Sequence, residues 1–149
     1  MSRKRPRRGQ ATVEFALILP VVLLILAGAI EFGRVFWSYG LLLQAAQEAA
    51  RQGAVLGAAT SDTTIASTAQ QTAAKGGLTI STSNVAVSAT CSYTSSTSIT
   101  AANRTRGNVL TVQVSYQFTP LIPFLPMTSL NLSPSSSMEI EQGAPSSCT

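Results

Sequence analysis

Apolar and polar residues follow three different rhythms along this chain. From Phe15 to Ile30 the stretch "FALILPVVLLILAGAI" runs 16 residues without a charge, and after Glu31 the apolar character resumes as "FGRVFW" up to Trp37. Together these make about the 20 residues that a helix needs to cross a bilayer. Pro20 lies inside the run, where it removes one backbone hydrogen bond, a loss that membrane helices tolerate. Gly28 and Gly33 are weak hints of close helix packing, since their spacing is not G-x-x-x-G.

The second rhythm is helical but amphipathic. In "LLLQAAQEAARQGAVLG", residues 41 to 57, Leu42, Ala45, Ala46, Ala49, Ala50 and Ala54 form a narrow stripe of mostly small residues, with Gly53 and Gly57 as candidate stops. One continuous helix from about Thr12 to Leu56 is therefore expected, roughly 67 Å long at 1.5 Å per residue. Glu31 with Arg34, and Glu48 with Arg51, read as solubilising i,i+3 pairs on a partly wet helix. A shorter helix follows from about 62 to 75, capped by Ser61 or Asp62 and stopped by Gly76 in a left-handed conformation. Its thin apolar face, Ile65, Ala66, Ala69 and Ala73, must lean on another element to persist.

After the glycine pair the period becomes two. Residues 78 to 91, 108 to 118 and 129 to 141 alternate as three strands, the last more weakly. The expected fold class is α+β: a long N-terminal helix extending outward, a second short helix, and a small antiparallel sheet of about three to four strands. The Ser/Thr-rich "SYTSSTSITAANRTRGN" reads as a surface loop. In "TPLIPFLPMT", Leu121, Ile122, Phe124 and Leu125 have no strand or helix period, and are expected to cap the small core in preference to docking on a partner or a membrane surface.

Charge sharpens the picture at one end. The formal total is +4, yet Arg3, Lys4, Arg5, Arg7 and Arg8 all precede residue 9, leaving five cations against six acids behind them. No basic stripe follows, so nucleic-acid binding is not expected. The positive-inside rule instead puts the N-terminus in the cytoplasm and the residues after about 38 outside, with Phe36, Trp37 and Tyr39 as an outer aromatic belt. A cleaved secretory signal is the main rival, but the apolar run is long for one, and the helical pattern continues where a small-residue cleavage site should appear.

Composition also removes most chemistry. There is no histidine, and the six carboxylates are scattered, so no metal or cofactor site is expected and the chain is read as neither an enzyme nor a binder of small-molecule substrates. A membrane-anchored hydrolase would need a nucleophile elbow that is absent. Cys91 and Cys148 suit one disulfide in an oxidising space, or stand as two unpaired thiols; spacing does not choose between them.

One carboxylate stands where it should not. Glu14 sits at the edge of the apolar run, in a layer where a charge costs about 2.5 to 3.5 kcal/mol. Gly9, Glu14 and Phe15 form G-x-x-x-x-E-F after a short basic leader and directly before the helix. This resembles the processing site of type IV pilin-like proteins. The longer run "ATVEFALILPVVLLILAGAIEFGR", with "AAQEAAR" beyond it, resembles the TadE-like family of pseudopilins of tight-adherence (Flp-type) pilus systems. The likeness covers residues 9 to about 56, and more loosely "VLTVQVSYQFTPLIPFLP" and "SMEIE". Major Flp pilins are much shorter, with little beyond the helix, so the chain resembles an accessory subunit; they also usually carry tyrosine where Phe15 stands, a departure that bears on processing.

The resemblance implies residues 1–9 as leader, 10–38 as transmembrane helix and 39–149 as an extracytoplasmic domain. A prepilin peptidase would cut between Gly9 and Gln10, with this chain as its substrate. The new amine of Gln10, with a reference pKa of about 7.7 to 8.0, would be cationic and able to neutralise a carboxylate in low dielectric. In pilins the acid's partner is commonly the amine of the adjacent subunit, so Glu14, with Phe15 beside it, would set the register of packed helices; otherwise Glu14 stays at headgroup level in water. The implied partners are the membrane, the peptidase, other pilin-like subunits and the assembly machinery, at the cell membrane in or at the base of a surface pilus. The competing reading is a single-pass anchored binding or adhesion module that enters no filament.

Overall fold

The structure, a computed structural model, describes residues 8–91, 98–121 and 129–143. Helix α1 (Arg8–Leu56) is continuous over 49 residues, about 74 Å of rise, and passes through Pro20 without interruption. It starts slightly earlier than the sequence pattern suggests. Gly57, with φ of +52°, ends it, while Gly53 stays inside it for a packing reason given below.

A short 3-10 turn (Gly57–Ala59) leads to α2 (Asp62–Lys75). Ser61 supplies the N-cap, its hydroxyl accepting from the Thr64 N–H at 3.2 Å. At the other end Leu78 N–H donates to Ala73 O and Gly77 N–H to Ala74 O, the paired bonds of a Schellman stop. The left-handed residue is therefore Gly77, φ +86°, and not Gly76 as expected; Gly76 is needed for closeness instead, since a Cβ there would strike the Leu41 side chain.

The two helices form an antiparallel hairpin. Gly53 lies under Ile65 and Leu110, which leave no room for a Cβ, and the Thr68 hydroxyl donates to the Gln52 carboxamide. Every residue of the two expected apolar stripes is buried in this contact or against the sheet. Alanine does this because its small side chain lets backbones approach. The larger Leu42, Ile65, Leu110, Val112, Val114 and Ile140 supply most of the apolar burial, each worth about 1.5–3 kcal/mol.

The sheet has strands β1 (Val85–Cys91), β2 (Ser98–Ile99), β3 (Asn108–Val114) and β6 (Ser135–Glu139) in the order β2-β1-β3-β6, all antiparallel. Strands β4 (Tyr116–Phe118) and β5 (Leu130–Leu132) pair separately. Thus two of the expected strands are each split. Val114 N–H still donates to Pro134 O at 3.0 Å, but Pro134 has no N–H to return, so the ladder lapses there. The register survives the gap: three residues on from Gln113↔Ser135 along each strand is the pair Tyr116↔Leu132. The two ladders are one long hairpin arm, longer than the sheet it belongs to. Helix α1 lies over β3 and β6, and α2 reaches β1.

The expected surface loop between the first two strands also needs correction. Its described part holds β2, a 3-10 turn (Ala101–Asn103) and Arg104, which is only 2% exposed.

Candidate functional site

Gly9, Gln10, Glu14 and Phe15 all lie on the first two turns of α1, exposed, with Gln10 and Glu14 one helical turn apart on a shared face. No hydrogen bond or ion pair joins Glu14 to another described residue. From Val13 to Leu26 the large side chains point outward all round the helix, and its most apolar 18-residue window is wholly unburied. A helix hydrophobic on every side has no face to give to water. This one is long and apolar enough to cross a membrane.

Farther along, the helix changes neighbours. Phe36, Trp37 and Tyr39 remain exposed, and the Phe32 and Phe36 rings stack with centroids 6.3 Å apart. Just before them in the helix, Glu31 is 1% exposed, which overturns the expectation of a wet surface pair. Its Oε2 accepts from Arg34 Nη1 at 2.7 Å, and its Oε1 accepts from the backbone N–H of Leu121 at 2.7 Å. Arg34 lies over the Phe118 ring, 5.1 Å from its centroid.

The hairpin arm makes this meeting possible. Leu110 of β3 packs by Gly53, and Leu121 beyond β4 reaches Glu31. Along α1 that separation is about 33 Å of rise, and along an extended strand about 36 Å. The arm and the helix therefore run side by side and antiparallel over the whole distance. Leu121 itself is 75% exposed and does not cap the core; Ile122, Phe124 and Leu125 lie outside the described residues.

Two further polar groups complete the inventory. Arg104 Nη2 pairs with the Asp62 carboxylate at the start of α2, while its Nε and Nη1, and the nearby-in-sequence cap residue Thr60 through its hydroxyl, are buried without hydrogen-bond partners. On the outer face of α1, the Arg51 guanidinium hydrogen-bonds Glu48 and holds that carboxyl below its ordinary range. Beside this pair runs an open groove of about 610 Å³ lined by Gln44, Gln47, Thr72, Lys75, Ser136 and Met138.

Cys91 is buried at the end of β1 and is disulfide-bonded, while Cys148 lies outside the described residues. Among the described residues no group of three or more cysteine, aspartate or glutamate side chains is arranged to hold a metal ion.

Sequence reasoning missed Arg104 and the burial of Glu31. For Arg104 the only local signal was a single cation, beside Arg106, in a run of small polar residues. For Glu31 there was one more: a carboxylate in an apolar helix needs a partner, and Arg34 on the next turn supplies only half of its coordination.

The sequence model of the TadE-like protein family matches residues 9–51, from the glycine at the head of α1 nearly to the end of its buried stripe. No curated protein and no solved structure matches the chain.

Proposed function

We propose that this chain, TadE-like over residues 9–51, is a minor pilin-like subunit that acts in assembly of a tight-adherence pilus. It is held by one membrane-spanning helix and supplied as the substrate of a prepilin peptidase. The supporting observation is where the family match begins. It starts at Gly9, after the cluster of cations and at the head of an apolar helix that is exposed on every side.

The chemistry follows from that arrangement. The leader's cations hold the N-terminus at the cytoplasmic face while the helix inserts, leaving the sheet domain outside. Cleavage after Gly9 removes those charges and creates an ammonium at Gln10. An ammonium and the Glu14 carboxylate neutralise each other in a medium where either alone is expensive, and pairing between adjacent subunits fixes one axial offset between helices. The chain performs no reaction of its own in this role.

The test separates processing from assembly. Gly9→Ala should accumulate precursor with its leader attached. Glu14→Ala should be processed normally and yet be absent from the assembled structure. Normal incorporation of Glu14→Ala would overturn the role given to that carboxylate. The polar groove beside Arg51 is what a tethered binding module would use; in that case uncleaved protein would carry the full function.

A further inference from the structure

The sheet domain is docked onto the helix at a depth where water should already be gone. Counted from Phe15, the first residue of the uncharged run, Glu31 stands about 24 Å along the axis. A hydrocarbon layer is about 30 Å thick, so Glu31 lies roughly 6 Å inside its outer boundary, and tilt of the helix would move it deeper. The backbone N–H of Leu121 is bonded to that carboxylate and must lie at the same level.

We infer that the end of the hairpin arm, Phe118 to Leu121, is seated in the outer leaflet of the bilayer, and that Glu31 is the clasp that holds it there. The inference rests on the reading of α1 as a membrane-spanning helix. Non-helical backbone survives at such depth only where its polar groups are satisfied by protein, and the Glu31 carboxylate satisfies the Leu121 N–H. The carboxylate in turn is shielded from lipid by the turn above it and balanced by Arg34, whose 42% exposed side chain can extend toward the headgroups. Leu121 is 75% exposed at the level of Glu31, and Phe32 and Phe36 on the same stretch of α1 are exposed as well, so helix and arm both present apolar surface at this height. Lipid is the occupant that this surface selects.

The arrangement has a consequence for the subunit. With the turn embedded, the domain is fixed at one height and one rotation about the helix, and does not swing on a tether. A bilayer thus becomes part of what orients the sheet.

The experiment uses full-length protein in phosphatidylcholine/phosphatidylglycerol vesicles, with Trp37→Phe as background so that one introduced tryptophan reports. Leu121→Trp should be quenched by lipids brominated near the glycerol end of the acyl chain, should emit at shorter wavelength than in detergent-free buffer, and should resist aqueous iodide. Quenching by iodide without quenching by bromolipid would overturn the inference, as would protection from both, which would indicate a protein partner over the turn.

Leu23→Trp in the same background tests the spanning helix by itself. It should be quenched by lipids brominated at mid-chain, and its failure would sink the membrane reading, whereas its success beside an iodide-quenched Leu121→Trp would sink only the present inference. Adding Glu31→Leu to Leu121→Trp should abolish the bromolipid quenching, while Glu31→Gln, whose amide oxygen still accepts the Leu121 N–H, should keep it. Quenching unchanged by Glu31→Leu would remove Glu31 from the role of clasp.

Discussion

The two halves of α1 are covalently one helix and chemically two solvents' worth of surface. Between Val13 and Leu26 its large residues are exposed on every side; between Leu42 and Ala54 one stripe is closed over by α2 and the sheet. Total hydrophobicity separates the halves, and so do the size and placement of the apolar groups. Bulky aliphatics all round suit a medium that wets every face equally, whereas a stripe of alanines with glutamine, glutamate and arginine opposite suits one packed face and one in water. Glu31 lies at the seam and belongs to both: it is on the apolar half by sequence, yet it is buried by a segment of the folded half.

The contrast can be broken most severely in the packed half. Leu110→Ala should lower the stability of the sheet domain by about 2–5 kcal/mol, because a buried side chain is lost against helices that cannot collapse into the space. Leu23→Ala, on the exposed apolar half, should leave the thermal unfolding of that domain unchanged. Denaturation of both in one detergent checks this, and equal losses would refute the division.

Next in size is the buried cation. Asp62 is 54% exposed and would ordinarily be dispensable, but Arg104 beneath it is 2% exposed and already carries unsatisfied donors. Asp62→Ala should therefore cost about 1–3 kcal/mol, and Arg104→Met in the same chain should recover most of it, since an apolar side chain leaves nothing stranded. A double-mutant cycle by urea unfolding reads the coupling directly. Smaller again is the N-cap: Ser61→Ala should cost about 1 kcal/mol, seen in the same unfolding assay, because the Thr64 N–H loses its acceptor.

The smallest effect belongs to Glu48 and Arg51. Folding lowers the Glu48 pKa, chiefly through the Arg51 hydrogen bond, so the pair adds stability above the unfolded carboxyl's pKa and loses it as pH falls through the lower folded value. The pair is exposed and solvent-screened, so Arg51→Met should shift the melting temperature barely at neutral pH and not at all in strong acid. A shift that grew on acidification would have the wrong sign.

How much of this could be read from residues alone divides along the same seam. Both helices, both apolar stripes and the change of period were legible because each depends on neighbours within a few positions, such as Ile65, Ala66, Ala69 and Ala73. The strands of the hairpin arm were legible as period-two runs, but their pairing was not, since Gln113 meets Ser135 and Tyr116 meets Leu132 across a long stretch of chain whose local pattern names no partner. Glu31 and Arg104 were misread for a related reason. Their burial is decided by Leu121 and by the start of α2, 90 and 42 residues distant, and local patterning holds no trace of such partners. The residues proposed for processing and register, Gly9, Gln10, Glu14 and Phe15, were legible only as a motif. In a single subunit they stand exposed on one helix, and their work requires a protease or a second helix.

The central claim is that the chain does its work with its cationic head removed. Intact-mass and N-terminal sequence analysis of the protein recovered from assembled complexes addresses it without intermediaries. A chain beginning at Gln10 is the predicted result; one that retains Met1 and the arginines while fully assembled would contradict the account.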